Sequence, residues 1–412
     1  MDDLPDGFLW GTGASSTQTE GAAAASDWAR WERLGRAPAS GEGNGFATRF
    51  REDFALLGAL GLTQHRLSLE WARLEPREGE HDPAAVEHYR EVLAAGADAG
   101  VEVWACLHHF TLPGWFSDDL GGFLDDRGLG YFWPRHVDWV AETFGDLVAG
   151  WKPVNEPLAY AAGGFLLGAM PPGRADAGDF ADALRASHLA NLAAWRLLRG
   201  GDQPVATVMN LSPVRSGATS TDTGATERAR EWGRLVDDAY WGCWISLLRD
   251  GIWRNPLGGT EEVPDAAGAF DLIGFSYYST VSVDQDGVLH PYPSDARRGP
   301  LGDARHPDGL RECLERLADE LPGRRLLISE VGLGTPAEDP RADEERCEYM
   351  EQVVGIVTEA VRAGIDLAGL FWWTGIDNYE WLHGFDAQFG LVDAGRQPRR
   401  SAELAAGWAS GR

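Results

Sequence analysis

The sequence predicts an α/β protein folded as a single closed (β/α)8 TIM barrel, on three observations. Short β-rich apolar runs alternate with longer amphipathic ones, the alternation repeats eight times, and no second compositional block, linker or internal repeat interrupts it. The chain of 412 residues, 44% hydrophobic, is long enough to bury the core of one large barrel, so one catalytic domain over 1–412 is expected. In chain order the expected strands are GFLWGTGAS near Gly7, HRLSLEW from His65, VEVWACLHH from Val101 and DLVAGWKPVNE from Asp146. PVATVMNL from Pro204, FDLIGFSYY from Phe270, RRLLISE from Arg324 and AGLFWWTG from Ala368 complete the set. Between them lie helix-like segments: Phe50 to Leu60, Ala84 to Ala99, Trp133 to Val148, Ala181 to Leu198, Ala225 to Leu248, Leu310 to Leu321 and Asp343 to Ala363.

Charge and composition exclude several function classes. The formal net charge is −28, with 35 arginines and a single lysine, Lys152. Such a surface repels phosphate backbones and anionic lipid, so neither nucleic acid nor a membrane surface is an expected partner. No run is long and apolar enough to span a membrane. The start, MDDLPDGFLWG, has no basic segment before an apolar run, so no secretory signal is read there. The cysteines Cys106, Cys243, Cys313 and Cys347 have neither disulfide density nor metal-ligand spacing. A cytoplasmic location with no cofactor and no metal is the expectation.

The stretch WKPVNEP, Trp151 to Pro157, ends the fourth strand with Asn155 and Glu156. Alone it could mark only a helix start, since proline fits the first helical turn. In a barrel, residues at the C-terminal ends of the strands converge on one pocket. The other strands end in Gln18 and Glu20, Arg66 and Glu70, His108 and His109, Tyr277 and Tyr278, Glu330, and Trp372 and Trp373. Acids, an arginine, a histidine, amides and indoles together suit a polyhydroxylated, uncharged ligand: polar groups bond its hydroxyls and flat rings pack on its C–H faces.

These residues also carry a family resemblance. FLWGTGASSTQTEG, HRLSLEWARLEP, LHHFTLP, NEP, ISEVG and WWTGIDNYEWLHGFDAQFGLV, from residue 8 to residue 392, resemble in order the signature segments of family 1 glycoside hydrolases, the β-glucosidase family. The resemblance implies retaining hydrolysis of a β-glycoside or oligosaccharide, with Glu156 of NEP as acid/base and Glu330 of ISEVG as nucleophile. A retaining enzyme needs one carboxylate to attack the anomeric carbon and one carboxylic acid to protonate the leaving oxygen, about 5–5.5 Å apart. Arg66 and Tyr278 are expected to hold Glu330 ionised and oriented. Glu156, desolvated and near an ionised neighbour, is expected to have a raised pKa.

The resemblance further assigns Gln18, His109, Asn155, Glu380 and Trp381 as hydroxyl partners, Trp373 as the sugar platform and Phe389 as the floor. An ionised Glu380 at the O4/O6 end is expected to repel a phosphate, making the substrate an unphosphorylated gluco-, galacto- or fuco-configured glycoside. His108 is read as a core residue, because adjacent strand residues face opposite sides and cannot readily share a metal ion. Val331, Ser276, Phe110, Gly375 and Gln388 depart from the family pattern around the catalytic shell. The chain is also short for the family, so trimmed rim loops and an open aglycone side are expected. Two alternatives stand beside hydrolysis: a transglycosylating enzyme acting on a specialised metabolite, and a non-catalytic sugar-binding protein on the same scaffold. Retention of both Glu156 and Glu330 argues against the latter.

Overall fold

The computed structural model describes residues 4–220 and 222–411. The first three residues of the acidic start, together with 221 and 412 of the expected 1–412 domain, lie outside the described residues. Each of the eight expected runs supplies a strand: β1 Leu9–Gly13, β2 Gln64–Ser68, β3 Glu102–His108, β4 Gly150–Val154, β5 Met209–Leu211, β6 Ile273–Tyr277, β7 Leu326–Val331 and β8 Leu367–Trp373. They form one parallel sheet in the order β4-β3-β2-β1-β8-β7-β6-β5. The seam between β4 and β5 closes through parallel bridges from Trp151 to Val205 and from Asn155 to Val208. Across that seam the Glu156 N–H donates to the Val208 carbonyl at 2.9 Å. The result is the (β/α)8 barrel.

Strands buried on both faces read as near-continuous apolar runs, which is why β6 and β8 lack polar alternation. Trp104, Ala206, Leu272, Leu327, Ala368 and Phe371, drawn from around the ring, form a compact cluster that fills the barrel interior. The larger apolar cluster lies between strands and helices. On β7 the pairing with β6 steps from Ile328–Phe275 to Glu330–Ser276, so two β7 residues span one step of the partner. Leu327 faces the interior, and strict alternation would send Glu330 outward with Ile328; the bulge turns it inward.

The helices differ from expectation mainly at their ends. Pro83–Asp98 starts where Asp82 accepts from the Ala84 N–H at 2.8 Å and Pro83 occupies the first turn. The helix expected to reach Val148 spans Trp133–Phe144, ending at Gly145. The helix expected over Ala225 to Leu248 is divided into Ala225–Asp237 and Cys243–Asp250 by a wide π-type turn, Asp238–Gly242. Gly242 makes room there: a side chain at that position would collide with the Asp238 carboxylate. Among the described residues no helix is long and apolar enough to cross a membrane.

Candidate active site

At the C-terminal ends of the strands lies a cavity of about 260 Å³, lined by Glu156 and Glu330, by His109, Asn155 and Tyr278, and by Trp373, Glu380, Trp381 and Phe389. Backbone strain concentrates here. Of the five non-glycine residues with positive φ among those described, Phe110 (70°), Glu156 (46°) and Trp381 (49°) line this cavity. Glu156 also precedes Pro157, which disfavours the helical region for it. Its bond to Val208 fixes the unusual geometry.

Glu330 is held by two donors. Arg66, fully buried on β2, forms an ion pair through Nη2 with Glu330 Oε1, and the Tyr278 hydroxyl donates to Oε2 at 2.6 Å. Both favour the carboxylate over the acid. The same guanidinium donates through Nη1 to His109 Nδ1 at 2.7 Å and to Asn155 Oδ1 at 3.2 Å. Because a guanidinium only donates, His109 carries its proton on Nε2, and Asn155 keeps its amide N–H groups for a ligand. Burial, then the Arg66 charge, lowers the His109 pKa well below the ordinary value, so the ring is neutral.

Glu156 titrates high, and of the two expected causes burial is the one that acts. Burial raises its pKa, while a hydrogen bond from Ser276, the Arg66 charge and a hydrogen bond from Asn210 pull it down. The expected desolvation is the raising influence, and the expected ionised neighbour adds none. Ser276 Oγ donates directly to Glu156 Oε1. The departure at 276 thus touches the acid itself.

The expected ionised Glu380 is corrected. Burial pushes its pKa up to about 8, against hydrogen bonds from Trp373 and Gln18, so the carboxyl favours the protonated form at neutral pH. Gln18 stands just behind the wall: its Nε2 donates to Glu380 Oε2 at 3.0 Å and to the Tyr379 carbonyl at 2.8 Å, and Ser15 Oγ donates to its Oε1 at 2.7 Å. Trp373 and Trp381 both lie near-parallel to the His109 ring, at centroid distances of 5.8 and 6.0 Å. The Arg66 guanidinium sits 5.2 Å from the centre of Trp373. Phe389 meets Tyr278 edge-on at 6.0 Å.

Other strand-end residues face elsewhere. Glu20 accepts from the Tyr89 hydroxyl at 2.9 Å and pairs with Arg73, while Glu70 caps Trp71–Leu74 and accepts from Ser16 and Thr111. His108 turns from the cavity to lie edge-on to Tyr160 and Phe123. Tyr277 bonds the His306 carbonyl, and Trp372 packs toward Trp408. Of the other departures, Phe110 lines the cavity edge-on to Trp381, and Val331 is fully buried. Gly375 packs against Thr12 and Leu57, and Gln388 accepts from Arg399 at 3.2 Å.

Leu301 and Asp303 also line the cavity, and sequence reasoning missed them. They sit in SDARRGPLGDARHPDG, a stretch with no periodicity to flag it.

The family profile described as "Glycosyl hydrolase family 1" matches residues 1–408. Thermostable beta-glucosidase B of Thermobispora bispora is 30% identical over 97% of this chain and 89% of its own. Cyanidin 3-O-glucoside 7-O-glucosyltransferase (acyl-glucose) of Delphinium grandiflorum is 26% identical over 95% of this chain and 85% of its own. The solved structure of a beta-glycosidase from Pyrococcus horikoshii superposes with a TM-score of 0.87 at 29% identity, covering 98% of this chain and 94% of that one.

Proposed function

Since the chain belongs to glycosyl hydrolase family 1 and is a β-glycosidase, we propose that it cleaves unphosphorylated β-glycosides by double displacement on Glu330 and Glu156. The observation that carries this reading is the opposed treatment of two carboxyls in one cavity. Glu330 is paired with Arg66 and Tyr278, while Glu156 is raised by burial. Glu330 attacks the anomeric carbon as Glu156 passes its proton to the departing oxygen, forming a glycosyl-enzyme. Glu156, now a carboxylate, takes a proton from the water that attacks that intermediate and regenerates Glu330.

Asn155 is assigned to the 2-hydroxyl, where its bond strengthens as positive charge develops on the ring. His109, Gln18, Glu380 and Trp381 take the remaining hydroxyls, Trp373 stacks on the sugar and Phe389 closes the floor. The case against a phosphate rests on the wall of the cavity, which carries Glu156, Glu330, Glu380 and Asp303 and, among the described residues, no lysine or arginine. We read the chain as one catalytic domain, supported by barrel strands spread from Leu9 to Trp373. We place it in the cytoplasm, supported by four cysteines that are all buried free thiols.

Proton NMR during early turnover of an aryl β-glucoside tests the reading. The β-anomer of glucose is expected first, followed by mutarotation. The α-anomer first contradicts double displacement, and no turnover of any β-glycoside contradicts the reading altogether. A second reading, sugar transfer to an acceptor, is favoured by the likeness to the Delphinium grandiflorum glucosyltransferase. It uses the same two carboxyls and is separated by supplying alcohol acceptors and analysing the products.

A further inference from the structure

Asp303 and Leu301 stand on a loop outside the barrel yet line the catalytic cavity together with Tyr278, Ser279 and Phe389. The deep end of the cavity is the fully buried Gln18 with Glu380, where the sugar is assigned. Leu301 is 40% exposed, and Asp303 is partly exposed, which places both at the mouth, on the side of the leaving group. This loop is a built element. Arg298 and Ala304 form an antiparallel bridge, the Gly299 N–H donates to the Asp303 carbonyl at 2.8 Å, and the Arg305 N–H donates to the Arg297 carbonyl at 3.3 Å. Arg297 ties the base of the loop to Asp339 and Glu345. A side chain at Gly299 would press on both the Asp303 carboxylate and the Gly334 carbonyl, so the loop lies tightly against the segment after Glu330.

The Asp303 carboxyl is held there with its Oδ1 buried and without a hydrogen-bond partner, and no salt bridge joins it among the described residues; burial raises its pKa, against its own backbone N–H and the charge of His383. A buried oxygen without a donor costs free energy that an arriving donor recovers. Leu301, Tyr278 and Phe389 line the same cavity as Asp303, and aromatic faces attract cations. The wall around it and the chain as a whole are acidic, with a net charge of −28. The cavity wall thus offers an entering cation the Asp303 carboxyl and, among the described residues, offers an anion no lysine or arginine.

We propose that Asp303 and Leu301 form an aglycone subsite that selects leaving groups bearing a protonated amine on an apolar frame. The subsite rests on the β-glycosidase reading above and specifies its substrate class. Leu301 and Phe389 take the apolar frame while the ammonium donates to Asp303. Asp303 is here a specificity residue; it does not touch the reacting atoms.

Three aryl β-glucosides with matched leaving groups test it: the 4-(2-aminoethyl)phenyl, 4-ethylphenyl and 4-(2-carboxyethyl)phenyl compounds. The ethylene spacer keeps the phenol acidities alike, so kcat/KM reports recognition. The amine is expected to exceed the ethyl compound by about 10-fold, and the carboxylate to fall below it by a similar factor, the size expected of one partly shielded charge pair. Asp303→Asn should bring the three values to within about threefold of one another, and Asp303→Lys should invert the order, which a misfolded variant cannot do. Equal values in the wild type, or an amine preference that survives in both variants, overturns the subsite while leaving the glycosidase reading intact. Failure to turn over any of the three overturns the glycosidase reading and the subsite with it.

Discussion

Two successive layers inside the barrel treat a buried cation in opposite ways. At the catalytic end Arg66 lies over Trp373 and is met by Glu330, His109 and Asn155. One layer down, Lys152 of β4 lies 3.5 Å from the centre of the Phe371 ring, two residues before Trp373 on β8, and 5.4 Å from that of Trp104, fully buried, with no hydrogen-bond partner for its Nζ. Burial, then the Arg66 charge, drives the Lys152 pKa well below the ordinary lysine value. Charge is thus met by a carboxylate partner at the catalytic end and disfavoured by burial where only packing surrounds it. Arg66 belongs to the chemistry of the site, while Lys152 packs as a long side chain against the interior cluster.

The largest expected effect comes from breaking the upper layer. Glu330→Ala removes the nucleophile, and kcat for every β-glycoside should fall by at least ~10⁴-fold. Glu156→Ala should cost ~10²–10⁴-fold for glycosides with poor leaving groups and far less in the first step for a dinitrophenyl glycoside, which needs little protonation. A uniform loss across leaving groups would remove Glu156 from the acid role.

Ser276→Ala is expected to act next most strongly. The serine hydroxyl stabilises the Glu156 carboxylate, so its loss should raise the pKa of the acid and move the basic limb of the pH–rate profile upward by roughly one unit. A limb that stays in place would show that the hydroxyl contributes nothing to the acidity. Strictly the limb belongs to the coupled pair, so the shift, not the absolute value, is the readout.

The protonated state of Glu380 sharpens the comparison further. Well below pH 8 its carboxyl is mostly neutral, so Glu380→Gln should change discrimination against a 6-phosphoglucoside by no more than about threefold at pH 6, and more at pH 9, where the wild-type carboxylate adds repulsion. Equal effects at both pH values would contradict the burial-driven shift. An unphosphorylated aryl β-glucoside should remain the better substrate at either pH.

Lys152→Met should have the smallest effect, with activity nearly unchanged and stability altered by about 1–2 kcal/mol, as an amine without a partner gives way to an apolar chain of similar length. The sign is set by linkage. The folded pKa of Lys152 is depressed, so the unfolded chain binds the extra proton between that value and about 10.4, and wild-type stability gains with rising pH across the window. The variant lacks this slope, so its advantage is greatest at the low end of the window and vanishes at the high end. Urea melts of both proteins at several pH values measure the difference. An advantage that grows with pH would show that the lysine is charged and useful in the fold.

Much of the fold was legible because parallel barrel strands are continuous apolar runs, and all eight announced themselves. Helix ends were less so: Gly145 and Gly242 act through local backbone geometry that periodicity does not register. At the site, Glu156, His109 and Trp373 follow from their positions at strand ends. Glu330 was readable from its place at a strand end and from its motif, although period-two alternation alone sends it outward and the bulge beside Ser329 is invisible in composition. Glu20 and Glu70 show the converse, acids at strand ends that serve neighbouring helices. The ionisation of Glu380 was misjudged because burial, which sets it, is a property of the packed site. Leu301 and Asp303 reach the cavity from a loop whose path depends on the anchors of Arg297, and nothing local marks them.

The most direct measurement of the two carboxyl roles is the anomer of the glycosyl azide formed when azide is supplied to each variant with a dinitrophenyl β-glucoside. In Glu330→Ala azide enters the vacated face and a single inversion gives the α-azide. In Glu156→Ala azide intercepts the glycosyl-enzyme and two inversions give the β-azide. Opposite anomers from the two variants are the predicted result; the same anomer from both, or near-normal activity of Glu330→Ala without azide, would contradict the assignment of Glu330 as nucleophile and Glu156 as acid/base.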